Sequence, residues 1–310
     1  MARKNARAVN GILLLDKPLE VSSNGILQRV RWLYQAQKAG HTGALDPMAS
    51  GLLPICFGEA TKFSQFLLDT DKTYQVTAKF GVRTTTSDSE GEVISEKPVT
   101  FSQQQLEDAM QAFRGDIQQV PTMFSALKYQ GQPLYRYARQ GIEVPREARP
   151  ISIFRFELLA FHGDSADFIV HCSKGTYIRT LIDDLGESLG CGAHVAKLHR
   201  TQVGPFHAAQ MVTPAQLDAL AEQCHQSGDF GAMDSLLLAM DAGISDMARL
   251  ELTQAEQHRL QHGQSCAVNI ADITAIKLHG PDKQFFGIGQ VEDGVLSSRR
   301  LLNTAALQGR

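Results

Sequence analysis

The stretch GHTGALDPMASGLLPICFGEATK occupies residues 40–62 and joins a segment rich in turn-forming residues to an apolar run. We expect a loop over Gly40–Gly51, because glycines such as Gly43 allow tight turns. Pro47 biases the backbone of Asp46 away from helical angles. An aspartate in such a loop can form an Asx turn, or its carboxylate can act as a covalent nucleophile at a sugar carbon or a ring carbon. The residue types alone leave both interpretations of Asp46 open.

The length and composition of the chain indicate a folded protein with one large domain and a smaller one. Its 310 residues are 43% hydrophobic and 20% charged, which argues against disorder. No apolar run approaches the roughly 18 residues of a membrane span. The basic N-terminus precedes only GILLL (11–15), which is too short for a signal-peptide core. We therefore expect a cytoplasmic protein with no membrane partner.

The cysteines are scattered along the chain without a CxxC pair, which predicts reduced, mostly buried thiols. They are Cys56, Cys172, Cys191, Cys224 and Cys266. One set of possible zinc ligands comprises His171, Cys172, Cys191 and His194. The spacing of this set matches no zinc pattern, so we expect no metal.

The net charge of −3 is unevenly distributed. Residues 1–40 hold seven basic and two acidic side chains, and residues 121–210 hold ten and eight. The segments 41–120 and 211–310 are each net acidic by five charges. The two basic segments could share one surface that binds phosphates, although solvated surface charge explains the same pattern.

Hydrophobic periodicity predicts both strands and helices in the larger part of the chain. Strands are predicted over GILLL (11–15), TYQVTAKF (73–80), residues 151–161, residues 167–173 and about 193–203. Helices are predicted from Ser22 or Ser23 to about Tyr34, from Ser102 through Phe113, and from about Thr176 to Leu189. Strands of alternating pattern mixed with helices favour an α+β fold.

Two segments differ from this pattern. Residues 121–150 are rich in glycine, proline, tyrosine and arginine, with little core-building periodicity. Alternating basic and aromatic residues can bind RNA through phosphates and stacked bases, but an ordinary surface excursion is equally consistent with this composition. Beyond roughly residue 248, turn signals between short strands predict a small all-β module, with one helix over residues 253–263.

The run around Asp46 resembles the active-site motif of the TruB family, the bacterial tRNA pseudouridine synthases. Other stretches resemble further motifs of that family, in the same order and across essentially the whole chain. They are LLLDKP (13–18), DKTYQVTAKFGVRTTTSDSEG (71–91), QQVPTMFSALKYQGQPLYRYARQG (118–141), CSKGTYIRTLIDDLG (172–186) and LHRTQVGPF (198–206).

The resemblance implies roles for individual residues. Asp46 matches the catalytic aspartate, and Arg179 matches the arginine paired with it. Tyr74 matches the tyrosine that stacks on the uracil and is a candidate for proton transfer. His41 matches the histidine that occupies the place of the extruded base. Tyr177 and Leu198 match residues that line the uracil pocket. Lys17 and Pro18 match residues that support the active-site loop.

The resemblance also implies a fold and an activity. The expected fold is the α+β pseudouridine-synthase fold, with a mixed, largely antiparallel sheet and a C-terminal PUA-like β-barrel. Residues 1–247 would form the catalytic domain, with 121–150 as an RNA-gripping insertion, and residues 248–310 the barrel. The expected reaction converts uridine to pseudouridine at position 55 in the T-loop of tRNA, without a cofactor. The chain would act as a monomer, with no guide RNA and no obligate protein partner.

One residue departs from the family pattern. The family commonly has two basic residues after the leucine that corresponds to Leu198, whereas this chain has His199 followed by Arg200. The contact that the first basic residue makes is therefore in question.

Three other functions stay open on the sequence. The first is a tRNA-binding or tRNA-folding protein with a vestigial pocket, and folding and catalysis could also coexist in one protein. The second is an aspartate-based hydrolase or metal-dependent nuclease, although the adjacent Asp183 and Asp184 would point to different faces of a helix. The third is a guide-dependent synthase that needs partner proteins, against which the insertion at 121–150 argues.

Overall fold

A computed structural model describes residues 6–303, so the two ends of the predicted domains lie outside the described residues. The strands, in chain order, are β1 (Gly11–Lys17), β2 (Ala39–His41), β3 (Ala49–Phe57), β4 (Lys72–Phe80), β5 (Val82–Thr84), β6 (Val93–Glu96), β7 (Gly115–Gln119), β8 (Lys128–Tyr129), β9 (Gln132–Pro133), β10 (Arg149–Phe161), β11 (Ser165–Cys172), β12 (Ala193–Val203), β13 (Phe206–His207), β14 (Arg249–Glu251), β15 (Cys266–Ala267), β16 (Ile273–His279), β17 (Phe285–Glu292) and β18 (Val295–Leu301). The strands predicted from the sequence are all present.

The α-helices are α1 (Ser23–Leu33), α2 (Ser64–Leu68), α3 (Gln103–Met110), α4 (Leu134–Ala138), α5 (Ile178–Ser188), α6 (Pro214–Ser227), α7 (Gly231–Asp234) and α8 (Gln254–Gln261). The sequence left the N-cap of α1 open between two serines, and the structure assigns it to Ser22, whose hydroxyl accepts a hydrogen bond from the Gly25 amide. Ser102 caps α3 through a reciprocal capping box with Gln105. The three helices predicted in this part of the chain are confirmed.

The central sheet has the strand order β1-β3-β12-β4-β11-β10-β7, with β2 added beside β3 and β13 beside β12. Its pairings are antiparallel except that β12 runs parallel to β3. This arrangement confirms the predicted α+β fold with a mixed, largely antiparallel sheet. The parallel pair lies directly beside the Asp46 loop. The loop therefore leaves the sheet at the place where the strand pairing changes from antiparallel to parallel.

Helices cover one face of the central sheet. Buried residues such as Val76, Phe168 and Leu198 pack under α3 and α5. On the same face of β1 and β3, Leu15 and Ile55 pack under α1 and α6. The hydrophobic effect of this burial holds the two helical layers against the sheet. The loop that carries Asp46 lies between the two layers.

The expected loop over Gly40–Gly51 is too long, and this part of the prediction was wrong. β2 extends to His41 and β3 begins at Ala49, so only residues 42–48 form the connection. β3 is buried on both faces and therefore shows no alternation of polar and apolar residues. Gly51 pairs with Arg200 of β12 at a backbone φ of +100°, which favours glycine.

The C-terminal part of the chain forms a separate five-stranded sheet in the order β14-β16-β17-β18-β15, with α8 beside it. Leu278, Phe286 and Leu296 are central in its own hydrophobic core. This confirms the predicted small β module with one helix. A further cluster, in which the Phe63 and Phe285 rings lie 5.0 Å apart, joins this sheet to the rest of the protein.

The segment 121–150 contains only a short hairpin of β8 and β9 and the single-turn helix α4. Leu134 and Val144 are its main buried apolar residues. This agrees with the weak core pattern of its sequence. Elsewhere, all five cysteines are buried and free, as predicted. No helix within residues 6–303 combines the length and hydrophobicity needed to cross a bilayer.

Candidate active site

Backbone hydrogen bonds fix the loop 42–48 at both ends. The Thr42 amide donates to the Pro54 carbonyl at 3.1 Å, and the Ala49 amide donates to the Asp46 carbonyl at 3.1 Å. The Glu20 amide donates to the Pro47 carbonyl at 2.8 Å. The loop backbone is therefore held by β3 on one side and by the segment after β1 on the other.

A buried serine fixes the residue before the candidate nucleophile. The Ser23 hydroxyl accepts a hydrogen bond from the Leu45 amide at 2.7 Å and donates one to the Leu45 carbonyl at 2.8 Å. One side chain thus satisfies both polar groups of Leu45. Sequence reasoning considered Ser23 only as a helix cap, because a pattern along the chain cannot show a contact 22 residues away.

We expect Ser23→Ala to cost about 1–3 kcal/mol of stability, because it leaves a buried amide and carbonyl without partners. The rate of the chemical step should also fall, since Asp46 directly follows Leu45. Urea unfolding and single-turnover kinetics measure the two effects. Ser22→Ala is the matched control, because it removes the cap of α1 at a cost of about 1 kcal/mol and should leave the rate unchanged. Equal rate losses in both variants would contradict the prediction.

Asp46 lies beside a buried arginine. Arg179 at the start of α5 is 6% exposed, and its Nη2 lies 3.0 Å from Oδ2 of Asp46. The Nη1 atom of the same guanidinium lies 3.2 Å from Oδ2 of Asp88, which is 2% exposed. Arg179 also donates to the carbonyls of Thr86 and Phe124. The guanidinium therefore bridges the candidate nucleophile and a second, fully buried carboxylate.

Asp88 is the functional candidate that sequence reasoning missed. It lies in the polar run TTTSDSEG, which has no periodicity, and only its position inside the resemblance motif at 71–91 hinted at it. Its side chain accepts hydrogen bonds from the Thr86 hydroxyl and the Glu90 amide, and its carbonyl accepts one from the Thr84 hydroxyl. These contacts within the loop give the Asp88 carboxylate one fixed direction, toward Arg179.

The other side of this loop is attached to α5. Arg83 makes a bidentate pair with Asp183, through Nε at 2.7 Å and Nη2 at 3.1 Å. The Ser87 hydroxyl donates to the same carboxylate at 3.0 Å. Asp183 is thus engaged with a cation, while burial raises the pKa of the neighbouring Asp184 to about 6. The two adjacent carboxylates therefore lie in different surroundings, as expected for neighbours that point to different faces of a helix.

The carboxylate of Asp46 is under opposing influences. Burial among protein atoms raises its pKa, the nearby Asp88 raises it further, and Arg179 and Lys17 lower it. The net direction is upward, although the side chain remains 44% exposed toward the cleft. An arginine partner therefore keeps the group ionised in surroundings that favour the neutral acid.

We expect the single-turnover rate to fall on the acid side at a pH above 3.8, the usual pKa of an aspartate, because the pKa of Asp46 is raised. The free energy of unfolding should change with pH in the opposite direction to the rate. The folded protein binds this proton more tightly than the unfolded chain, so the free energy of unfolding falls as the pH rises through this window. Urea midpoints of Asp46→Asn relative to wild type should therefore increase with pH. A difference that is flat or decreases with pH would contradict the assignment.

Tyr74 and Leu198 belong to the same buried cluster as Leu45, the residue before Asp46, and Tyr177 precedes Arg179 by two residues at the start of α5. Tyr74 on β4 is 9% exposed, and burial raises its pKa, partly opposed by Arg200. Tyr177 precedes α5, where the Gln119 side chain bonds both its amide and its carbonyl. Leu198 on β12 is 7% exposed and pairs with Val76. Two aromatic rings and one aliphatic side chain suit a flat heterocyclic base.

The supporting residues lie behind the loop. Lys17 is fully buried and donates to the carbonyls of Pro18 at 2.8 Å and Val21 at 2.7 Å. Burial lowers its pKa to about 8, with Asp46 acting in the opposite direction. His41 ends β2, and burial lowers its pKa, with Arg200 as a further cause, so it is neutral at physiological pH. Within residues 6–303, its Nδ1 atom has no hydrogen-bond partner.

His199 contacts a serine where the family commonly has a basic residue. Its Nδ1 atom lies 2.9 Å from the Ser50 hydroxyl on β3, so it joins the two parallel strands. The same ring borders a cavity of about 630 Å³ that also touches Met48 and Glu90. The contact is structural, and it fastens β12 to the strand that follows the Asp46 loop.

Comparisons with known proteins agree along the whole chain. The model "TruB family pseudouridylate synthase (N terminal domain)" matches residues 31–178, "tRNA pseudouridylate synthase B C-terminal domain" matches 179–245, and "Pseudouridine synthase II TruB, C-terminal" matches 248–302. A tRNA pseudouridine synthase B from a Shewanella species is 54% identical over 310 residues, covering 97% of each chain. Its namesake from Psychromonas ingrahamii is 52% identical, covering 98% of this chain and 100% of that one.

Solved structures show the same fold. A chain from a Cbf5-Nop10-Gar1 complex matches with a TM-score of 0.72 at 22% identity, covering 98% of this chain and 82% of that chain. This match shows the fold, and the family models and the relatives named tRNA pseudouridine synthase B define the class of protein as a pseudouridylate synthase, an isomerase. Because the family models extend over most of its length, the chain belongs to the TruB family of pseudouridylate synthases.

Proposed function

We propose that this protein isomerises uridine to pseudouridine at position 55 in the T-loop of tRNA. The observation that carries the proposal is the ion pair between Asp46 and the buried Arg179. The candidate aromatic residues of the pocket are Tyr74 and Tyr177. Relatives above 50% identity named tRNA pseudouridine synthase B support tRNA as the substrate. The site residues are Asp46, Tyr74 and Arg179 for chemistry, with His41, Tyr177 and Leu198 for the base.

The target base must leave the folded T-loop before it can react. Extruding a base costs a few kcal/mol, which stacking in the enzyme offsets. Tyr74 is proposed to stack on the uracil, with Leu198 and Tyr177 beside it. His41, whose Nδ1 atom has no hydrogen-bond partner among the described residues and whose pKa burial lowers, is proposed to take the vacated place in the RNA. A neutral imidazole can stack there and form a hydrogen bond without bringing in a charge.

The reaction exchanges one glycosidic bond for another. The C1′–N1 bond breaks, a C1′–C5 bond forms, C5 loses a proton and N1 gains one, so substrate and product are isomers. No electron or group is supplied from outside, and we propose no cofactor. The ionised Asp46 is the proposed nucleophile, at C1′ of the ribose or C6 of the ring. Tyr74 is the candidate for carrying the proton from C5.

The segment 121–150 is proposed to grip the RNA. The segment reaches the site at Phe124, whose carbonyl accepts a hydrogen bond from Arg179 at 2.8 Å, and it supplies basic and tyrosine residues for RNA contact. Exposed Ile142 and a largely coil backbone give it surface for an RNA partner. The proposed domains are residues 1–247 for catalysis and 248–310 for additional RNA contact. We propose a cytoplasmic monomer that needs neither guide RNA nor protein partner.

The purified chain, incubated with an unmodified tRNA transcript and no additives, tests the proposal. Mapping by carbodiimide modification and primer extension should find pseudouridine at position 55. A T-arm hairpin should be converted as well, which a guide-dependent synthase could not do. Absence of pseudouridine in both RNAs would overturn the proposal, and conversion of another uridine would overturn the position.

A further inference from the structure

Arg200 is a buried cation next to the site that the proposed chemistry does not use. It is 1% exposed and is among the largest fully buried side chains described. On β12 it pairs with Gly51 of β3 on one side and with Tyr74 of β4 on the other. It therefore lies in the middle of the sheet, between the strand that follows the Asp46 loop and the strand that carries the stacking tyrosine.

The guanidinium of Arg200 connects the two limbs of the Asp46 loop. Its Nε donates to the Leu52 carbonyl at 2.8 Å, and its Nη2 donates to the Gly43 carbonyl at 3.0 Å. Gly43 precedes Asp46 and Leu52 follows it. One rigid, planar group thus fixes the separation between the entry and the exit of the loop.

A charge in this position is costly, which makes its presence informative. Among residues 6–303, no carboxylate forms an ion pair with Arg200. Burying a cation with carbonyl acceptors alone is less favourable than burying an apolar side chain of similar size. Stability alone therefore does not explain an arginine at this position.

Tyr74 is the second group that Arg200 affects. The two residues are direct neighbours across β12 and β4 and project from the same face. Burial raises the pKa of Tyr74, and the charge of Arg200 opposes this effect. Cys172 and Asp46 are the other charged or titratable groups near this hydroxyl, and both raise its pKa.

We propose that Arg200 is a positioning residue that holds the Asp46 loop against the strand of Tyr74, so that the Asp46 carboxylate and the Tyr74 phenol keep one fixed relative geometry. Both groups are proposed to act on the same uracil ring, so a common anchor sets their separation. This inference rests on the proposed function, because it concerns the same site. A lysine at this position keeps the charge but cannot donate to the Gly43 and Leu52 carbonyls from one rigid plane.

The test compares Arg200→Lys and Arg200→Met with Lys72→Met. Lys72 is a matched control, because it is a buried cation on β4 that donates to backbone carbonyls, including that of Leu68 at 2.8 Å. It does not contact the Asp46 loop. The readouts are the single-turnover rate at saturating T-arm hairpin, the dissociation constant for the hairpin, and the melting temperature.

Arg200→Lys should slow the chemical step by about 100-fold, the scale of an error of about 1 Å in placement, with hairpin affinity changed less than about threefold. Lys72→Met should lower the melting temperature and leave the rate within about threefold of wild type. In protein carrying 3-fluorotyrosine at position 74, the ¹⁹F signal should shift in Arg200→Lys but not in Lys72→Met. Arg200→Lys covers the case in which Arg200→Met does not fold.

A wild-type rate in folded Arg200→Lys would overturn the inference, as would equal rate losses in Arg200→Lys and Lys72→Met. If Asp46→Asn is inactive in the same assays, either of these results leaves the proposed function intact. Pseudouridine formation by Asp46→Asn would instead remove the proposed function, whatever the Arg200 variants do. The two failures are therefore distinguishable in one set of assays.

Discussion

Asp46→Asn is expected to abolish pseudouridine formation, with a loss of at least about 10⁴-fold, the scale seen when a covalent nucleophile is removed. The amide has nearly the same shape as the carboxylate but is a poor nucleophile. It also cannot pair as an anion with Arg179, whose Nη2 lies 3.0 Å from the native carboxylate. Affinity for the T-arm should change by less than about threefold, because recognition lies mainly in the RNA backbone and the extruded base.

Single-turnover assays and a filter-binding titration measure the two quantities. Asp167→Asn is the control, since this aspartate on β11 bonds the Thr77 hydroxyl and projects from the other face of the sheet. It should retain nearly all activity. A tRNA-folding assay with Asp46→Asn then separates folding from catalysis, because a protein with both roles keeps the first and loses the second. Product formation by purified Asp46→Asn would contradict the role of Asp46.

The elements of this fold could largely be predicted from the chain, because their signals are local. Alternation of apolar residues marked β4, and β12 was predicted with the bounds that the structure shows, Ala193–Val203. The Asp46 loop was predicted too long, since β3 is buried on both faces and has no alternation. An apolar segment without alternation that lies next to glycines has the same sequence pattern whether it forms a strand or a loop.

The site could be predicted only in part, for the same physical reason. Asp46, Tyr74 and Arg179 lie in motifs, and the structure brings Asp46 and Arg179 together. Asp88 and Ser23 act through contacts between distant segments, and no periodicity encodes such contacts. A polar residue in a loop looks the same in sequence whether it faces water or a buried arginine.

Arg179→Lys is expected to reduce the single-turnover rate by about 100-fold, because a point charge cannot replace a planar guanidinium that bridges two carboxylates. The guanidinium makes four contacts at once, to the carboxylates of Asp46 and Asp88 and the carbonyls of Thr86 and Phe124. An ammonium group can keep one carboxylate ionised but cannot also hold the second at 3.2 Å on the other side. Asp46 would then lose its orientation while remaining charged.

Single-turnover rates at saturating T-arm hairpin test this expectation, together with circular dichroism to confirm folding. Arg83→Lys is the matched control, because Arg83 also pairs with an aspartate, Asp183 of α5, but contacts neither Asp46 nor Asp88. Its rate should fall by less than about threefold, the scale of a partly exposed ion pair. Because Arg179→Lys preserves the charge, a near wild-type rate would mean that charge alone activates Asp46 and that the orientation set by Asp88 has no part in the reaction.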